Sequence, residues 1–321
     1  CPRGYTVILS PSPIMSLAKL QFRLPIATNL RRCLMVSPNE PNPQSPPNST
    51  ESDPETDFGY SRVPSSQKTS MVKEVFNRVA TKYDIMNDIM SLGIHRLWKT
   101  YFVNQLALSS LGATPVHILD MAGGTGDIAF RCIDALRAPP TFPSVFPSPR
   151  HAITIADINQ SMLDIGMERA RTLGYGSDSR VLVDFVCADA QNLVTIPDSS
   201  IDLYTIAFGL RNVTKKESAL AEAYRVLKPG GRFLCMEFSS VHVPGLRKLY
   251  DIWSHHGIPR LGGLIAGDTA SYQYLVESIR QFPDQDTLAQ MIREAAFSEV
   301  SHENLSGGIV AIHSGFKIPV G

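Results

Sequence analysis

Apolar positions recur along this chain with two periods, and the two alternate. Val72, Val75, Phe76 and Val79 fall at i, i+3, i+4 and i+7, which predicts an amphipathic helix from about Ser70 to Ala80, and a second helical stretch runs through Trp98 to Leu108. Residues 116–136 then read as an apolar run ending in an acid, a glycine-rich turn and a helical pattern. The alternation returns as HAITIADIN before SMLDIGMERART, as VLVDFVCADA, as IDLYTIAFGL before KKESALAEAYRVL, and as RFLCMEFSS after a turn at Lys228-Pro229-Gly230-Gly231. Strands alternating with helices imply a parallel sheet covered on both faces. Helical patterns at SYQYLVESIRQF and DTLAQMIREAAF follow, then SEVSHENL and IVAIHSGF split by Gly307-Gly308, which predicts an antiparallel hairpin at the sheet edge. APPTFPSVFPSPR, residues 138–150, excludes helix and central strand through its prolines and reads as a surface insertion.

Composition changes the picture at the amino terminus. The chain has 321 residues, 43% of them hydrophobic, enough for a substantial core, so a wholly disordered protein is excluded. The 23 prolines exceed the average share and concentrate early. Up to Ser37 there is no acid, while Arg3, Lys19, Arg23, Arg31 and Arg32 lie among serines and apolar residues, the composition of a mitochondrial targeting segment over 1–37. A start at Cys1 rather than Met leads to the expectation of a fragment or a processed form. Residues 38–66, rich in Pro, Ser and Asn, read as a disordered linker, and the folded domain is expected over 67–321.

Charge and cysteines narrow the class. Thirty basic and thirty acidic residues give no net charge, and no basic patch stands out, so no nucleic-acid partner is expected. The five cysteines, Cys1, Cys33, Cys132, Cys187 and Cys235, form no CxxC pair, which argues against a zinc site and a disulfide framework and fits a reducing compartment. No apolar run approaches the roughly 20 residues that span a bilayer, which leaves a soluble or peripheral protein.

The chemistry concentrates around the first glycine turn. Gly124-Thr125-Gly126-Asp127-Ile128-Ala129 fits the dinucleotide pattern G-x-G-x-x-A, which raises a nicotinamide-dependent oxidoreductase. Asp120, four residues before Gly124, separates the readings. A diphosphate would avoid that carboxylate, whereas S-adenosylmethionine, with an ammonium, a sulfonium and no phosphate, would be attracted to it. The second strand ends in Asp157, placed for ribose hydroxyls, and the third in Asp189-Ala190, placed for an adenine amino group. Each acid singly is also what a helix N-cap would show; the ordered set lines one crevice. Arg211 and Asn212 follow the fourth strand and are the catalytic candidates. Arginine is too basic to take a proton, so Arg211 is expected to stabilise developing negative charge or orient a water, unless it caps a helix or pairs with an acid. Asn212 is expected to hold an oxygen of the substrate. His255-His256 point about 100° apart on a helix and make a poor metal pair, so no metal is expected.

The motif Tyr83-Asp84-Ile85-Met86-Asn87-Asp88-Ile89-Met90-Ser91-Leu92-Gly93-Ile94-His95-Arg96-Leu97-Trp98 resembles the first signature of the ubiquinone and menaquinone C-methyltransferases. Arg225 to Gly231, running on to Glu237-Phe238-Ser239, resembles the second. DMAGGTGDIAFR, DINQSML, TIAFGLRNVT and AGDTASYQYLVESIR are also similar to blocks of that family, and the resemblance spans about Met71 to Phe316. It implies a class I S-adenosylmethionine-dependent methyltransferase of the α/β class, Rossmann-like, with a mostly parallel seven-stranded sheet and an antiparallel C-terminal hairpin. It implies that the methyl donor is held by Thr125, Asp157, Asp189 and Ala190, to which the reading of the glycine turn adds Asp120, Gly124 and Gly126. The substrate implied is a polyprenylated methoxy-benzoquinol, with a demethylmenaquinol-type activity or a silent scaffold as the alternatives. With the leader, the resemblance further implies the mitochondrial matrix, a peripheral site on the inner membrane, and other quinone-biosynthesis proteins as partners. It places Asp251, Asp268, Tyr272 and Tyr274 near the quinol. Tyr83, Asp84, His95 and Trp98 could form a lid or pack, and packing is the expectation for Trp98.

Overall fold

A computed structural model describes residues 53–79, 87–88, 91–108, 114–137, 150–175, 180–257, 260 and 269–318. The targeting segment over 1–37, most of the expected linker, Tyr83, Asp84, Asp268 and the proline-rich insertion up to 149 lie outside them, as do the side chains of His255 and His256.

The fold begins earlier than expected. Two short strands, β1 (Glu55–Phe58) and β2 (Ser61–Pro64), pair antiparallel inside the stretch expected to be linker, and α1 starts at Ser65 and runs to Val79. The hairpin holds because Phe58 stacks on Tyr274 at a ring separation of 4.4 Å and the Tyr60 N–H donates to the Glu277 carboxylate, so a polar segment gains one apolar anchor and one charged acceptor. After α2 (His95–Asn104) come β3 (His117–Met121), α3 (Asp127–Arg137), β4 (His151–Asp157), α4 (Gln160–Thr172), β5 (Val181–Cys187) and β6 (Ile201–Ala207). Then follow α5 (Lys216–Val226), β7 (Leu227–Phe238), α6 (Pro244–Ile252), α7 (Thr269–Gln281), α8 (Gln285–Glu294), β8 (Ser298–Leu305) and β9 (Val310–Phe316).

Seven of these strands form one sheet in the order β5-β4-β3-β6-β7-β9-β8. Pairings among β3, β4, β5, β6 and β7 are parallel, and β9 enters antiparallel to both β7 and β8, the C-terminal hairpin that the apolar runs and Gly307-Gly308 predict. The expected turn at Lys228–Gly231 is absorbed into β7 as an irregularity. Ile201 pairs with Leu227 and Leu203 with Arg232, so the intervening residues loop out opposite Asp202, with Gly230 at a φ of 84°.

Apolar side chains on the two faces of the sheet build two cores. One gathers Phe102, Ile118, Ile133, Ile153 and Leu163, and the other Leu119, Tyr204, Leu220, Phe233 and Leu288. Ile118 and Leu119 are neighbours in β3 yet fall in different cores, as the two-residue period of a strand covered on both faces requires. The chain leaves β3 toward β4 and β5 on one side and returns to β6 on the other, so the carboxyl ends of β3 and β6 diverge into a crevice.

Candidate functional site

A cleft opens at that crevice. Its floor is the β3 end and glycine turn, and one wall comes from the ends of β4 and β5. The other wall is the segment after β6, and the α1 residues Thr69, Val72, Lys73 and Phe76 close one rim.

The glycine turn is shaped by close approach. Gly124 has a φ of 49°, and a Cβ there would sit 3.3 Å from the Met162 methyl and 3.6 Å from the Asp157 carboxylate. At Gly126, with a φ of 86°, a Cβ would fall 2.5 Å from the Phe130 ring. Gly126 therefore serves the turn and its packing; it does not line the cleft, although Gly123, Gly124 and Thr125 do. Across the crevice Phe208, at the end of β6, has a φ of 56°, matched by Ala122 at 54° after β3. Gly209 is needed between them, since a Cβ there would lie 2.3 Å from that of Ala122. Two non-glycine residues in the left-handed region at facing strand ends mark a site whose backbone is held against its own preference.

The acids at the strand ends differ in what they already bind. Asp120 is buried beneath the turn, where one oxygen accepts from the Thr205 hydroxyl (2.9 Å) and the other from the Ala129 N–H (3.2 Å), tying α3 to β3 and β6. Asp157 accepts from the N–H groups of Gly124 (3.0 Å) and Asn159 (2.8 Å) and so fixes the glycine turn to the end of β4. Burial pushes the Asp120 carboxyl up to about 7 and that of Asp157 up to about 6. Neither forms an ion pair among the described residues. Asp189 is engaged by the Gln191 backbone (2.9 Å) and amide (3.1 Å), which leaves the buried backbone of Ala190 at the cleft wall.

Arg211 and Asn212 occupy a single helical turn, Leu210–Asn212, after β6, and the structure separates them. Asn212 lines the cleft, and its side-chain oxygen accepts from the Tyr274 hydroxyl at 3.1 Å, so its amide NH2 is left facing elsewhere. Arg211 instead turns into the protein. It pairs with Glu237 at 3.0 Å, donates to the Phe208 carbonyl, and lies over the Phe238 ring, with both partners of the ion pair at most 3% exposed. The expectation that it opens into the crevice gives way to the other one stated above, pairing with an acid.

Some of the site is not visible in sequence patterns. Asn159 caps α4 by accepting from the Met162 N–H, while its amide donates to the Lys73 carbonyl (3.3 Å) and the Asn77 side chain (2.9 Å), stitching α1 over the cleft. The buried Lys99 pairs at 2.7 Å with the half-buried Asp127, which also holds Arg131, in the cleft lining. Trp98 packs, its ring edge on Phe238 and its N–H on the Ser306 hydroxyl (2.9 Å), while His95 and Arg96 both hold Asp88.

The family model of the ubiE/COQ5 methyltransferase family matches residues 64–317. The ubiquinone/menaquinone biosynthesis C-methyltransferase UbiE of Methylobacterium nodulans is 53% identical over 263 residues, covering 82% of this chain and 97% of that protein. The mitochondrial 2-methoxy-6-polyprenyl-1,4-benzoquinol methylases of Drosophila melanogaster and Dictyostelium discoideum are 51% and 48% identical, each over 82% of this chain and 85% and 87% of their own. With a mostly parallel seven-stranded sheet, a glycine turn flanked by Asp120 and Asp157 and a match of this length, the chain belongs to the ubiE/COQ5 family of S-adenosylmethionine-dependent methyltransferases.

Proposed function

We propose that this chain methylates a ring carbon of a polyprenylated methoxy-benzoquinol in ubiquinone synthesis, in the mitochondrial matrix and against the inner membrane, among other quinone-biosynthesis proteins. The observation that carries the reading is the pair of carboxylates, the buried Asp120 and the half-buried Asp157, flanking one glycine turn with neutral donors but no cation in ion-pair contact among the described residues. Such a pair suits a ligand that brings positive charge and repels a diphosphate.

S-adenosylmethionine, when bound, supplies an electrophilic methyl group on a sulfonium. In this reading Asp157 accepts from the ribose hydroxyls, Ala190 offers its backbone to the adenine, Thr125 and the Gly124 backbone cradle the amino-acid end, and Asp120 attracts its charge from beneath. Val72 and Phe76 of α1 cover the cleft with apolar surface and exclude water. A phenol with an unperturbed pKa of about 10 must share its proton before its ring carbon becomes nucleophilic. Asn212, clamped by Tyr274, points its amide at a ring oxygen. Arg211 acts as a positioning residue through the Phe208 carbonyl and the Leu210–Asn212 turn. The leader composition and the names of the eukaryotic relatives support the mitochondrial location. Exposed Leu92, Ile94 and Leu97 around the start of α2 support contact with an apolar surface, and among the described residues no helix is long and apolar enough to cross a membrane.

The test is transfer of a labelled methyl group to a set of prenylated quinols. Label on a ring carbon of a methoxy-benzoquinol is expected; label on oxygen, or no transfer while the donor binds, would reject the assignment.

A further inference from the structure

A second cavity, about 500 Å³, lies beside the cleft, between the β1–β2 hairpin, α1, the start of α5 and α7. Its lining carries three cations, Lys68, Lys216 and Arg211, and one acid, Asp57. Of the nearby acids, Glu237 is held by Arg211 (3.0 Å), Asp57 by Arg62 (3.0 Å), and Glu277 by the Tyr60 N–H (3.0 Å) and Gln273 (2.8 Å), while Glu217 adjoins Lys216 along α5 and does not line the cavity. Lys216 donates to the Val213 carbonyl at 3.4 Å and lies 6.0 Å from the Phe282 ring centre, with no ion pair among the described residues. Lys68 is 4% exposed, and among the described residues its ammonium has neither a hydrogen bond nor an ion pair. Burial and the like charge of Lys216 together push Lys68 down to about 8, with Asp57 opposing. Two ammonium groups share this polar cavity with a single carboxylate, Asp57, which is itself paired with Arg62, so positive charge is left in excess there.

We propose that this cavity is a binding site for a small oxyanion of phosphate size, held between Lys68 and Lys216. Thr56, Thr214 and Ser278 line the same space and supply hydroxyl groups for its remaining oxygens. The occupied site joins the amino-terminal hairpin to α1, α5 and α7, and Thr214, which also lines the methyl-donor cleft, links the two cavities. The proposal does not depend on which substrate the cleft takes.

The experiment is thermal unfolding of the full chain in chloride at fixed ionic strength, with inorganic phosphate replacing part of the chloride. A ligand bound only by the folded state raises the midpoint saturably, and the fixed ionic strength removes general screening. The wild type is expected to gain several degrees with a saturating dependence on phosphate. Lys68→Gln and Lys216→Gln should each lose most of that gain, and Lys68→Gln in chloride alone should melt no lower than the wild type because it removes an uncompensated buried charge. Retained donor binding shows that each variant is folded. An equal phosphate response in the wild type and both variants, no response in the wild type, or a response to inorganic diphosphate alone would overturn the proposal.

Discussion

At the ends of β3 and β4 the carboxylates of Asp120 and Asp157 are held by hydroxyl and backbone donors, whereas at the end of β7 the carboxylate of Glu237 faces the guanidinium of Arg211. All three sit where a parallel sheet gathers its ligands. The difference lies in who supplies the positive charge. Around Glu237 the protein supplies it, so the pair is part of the framework and keeps the turn after β6 in place. Around Asp120 and Asp157 it does not, and burial holds both acids well above the usual carboxylate range; burial raises Glu237 as well, but there Arg211 opposes it. A buried acid with a cation of its own is structure; one without is an invitation to a cationic ligand.

The sharpest way to break this comparison is to remove the framework cation. Arg211→Met leaves Glu237 buried and unpaired and should cost about 3–5 kcal/mol of unfolding free energy in a denaturant titration. Arg211→Met with Glu237→Gln should recover most of it. Because the guanidinium holds the Phe208 carbonyl, surviving Arg211→Met should also lose kcat more than donor affinity. Full stability with lost turnover alone would make Arg211 a participant in the chemistry instead. On the ligand side, Asp157→Ala should weaken S-adenosylmethionine binding by roughly 1.5–3 kcal/mol, the scale of hydrogen bonds to a charged acceptor. Unchanged affinity by calorimetry would remove Asp157 from the site. The smallest effect is expected at the hairpin. Phe58→Ala loses the stack on Tyr274 and should cost about 1 kcal/mol, read as faster hydrogen exchange of the β1–β2 amides with the rest of the domain unchanged. Loss of the whole domain's protection would show that the hairpin is part of the main core.

The parallel strands, the glycine turn and the C-terminal hairpin were legible because each writes a local signal: apolar runs of strand length, Gly at positions needing positive φ, and an acid at a strand end. The acids at β3, β4 and β5 needed only chain order to be brought together. The β1–β2 hairpin was missed because four-residue strands in a polar, proline-bearing stretch have no pattern of their own, and their anchors, Tyr274 and Glu277, lie far along the chain. The orientation of Arg211 was equally hidden, since its partner sits in β7 and which way Glu237 faces depends on register across the sheet. The amphipathic pattern of α1 announced a buried face without naming what that face covers, and only the hydrogen bonds of Asn159 to Lys73 and Asn77 reveal that it roofs the cleft.

The most direct measurement of the central claim is the affinity for S-adenosylmethionine as a function of pH, by calorimetry between pH 5 and pH 7. Asp120 and Asp157, raised to about 7 and about 6 without ligand, become protonated as pH falls through those values and lose their attraction for a cation. Binding of the cation favours the ionised acids, so protons are released on binding and affinity must rise with pH across this window. The wild type should bind about tenfold more tightly at pH 7 than at pH 5, as one group shifted by more than a pH unit requires, and Asp157→Asn should flatten that rise. An affinity independent of pH in the wild type, or a slope unchanged in Asp157→Asn, would contradict the claim that these carboxylates are kept for a positively charged ligand.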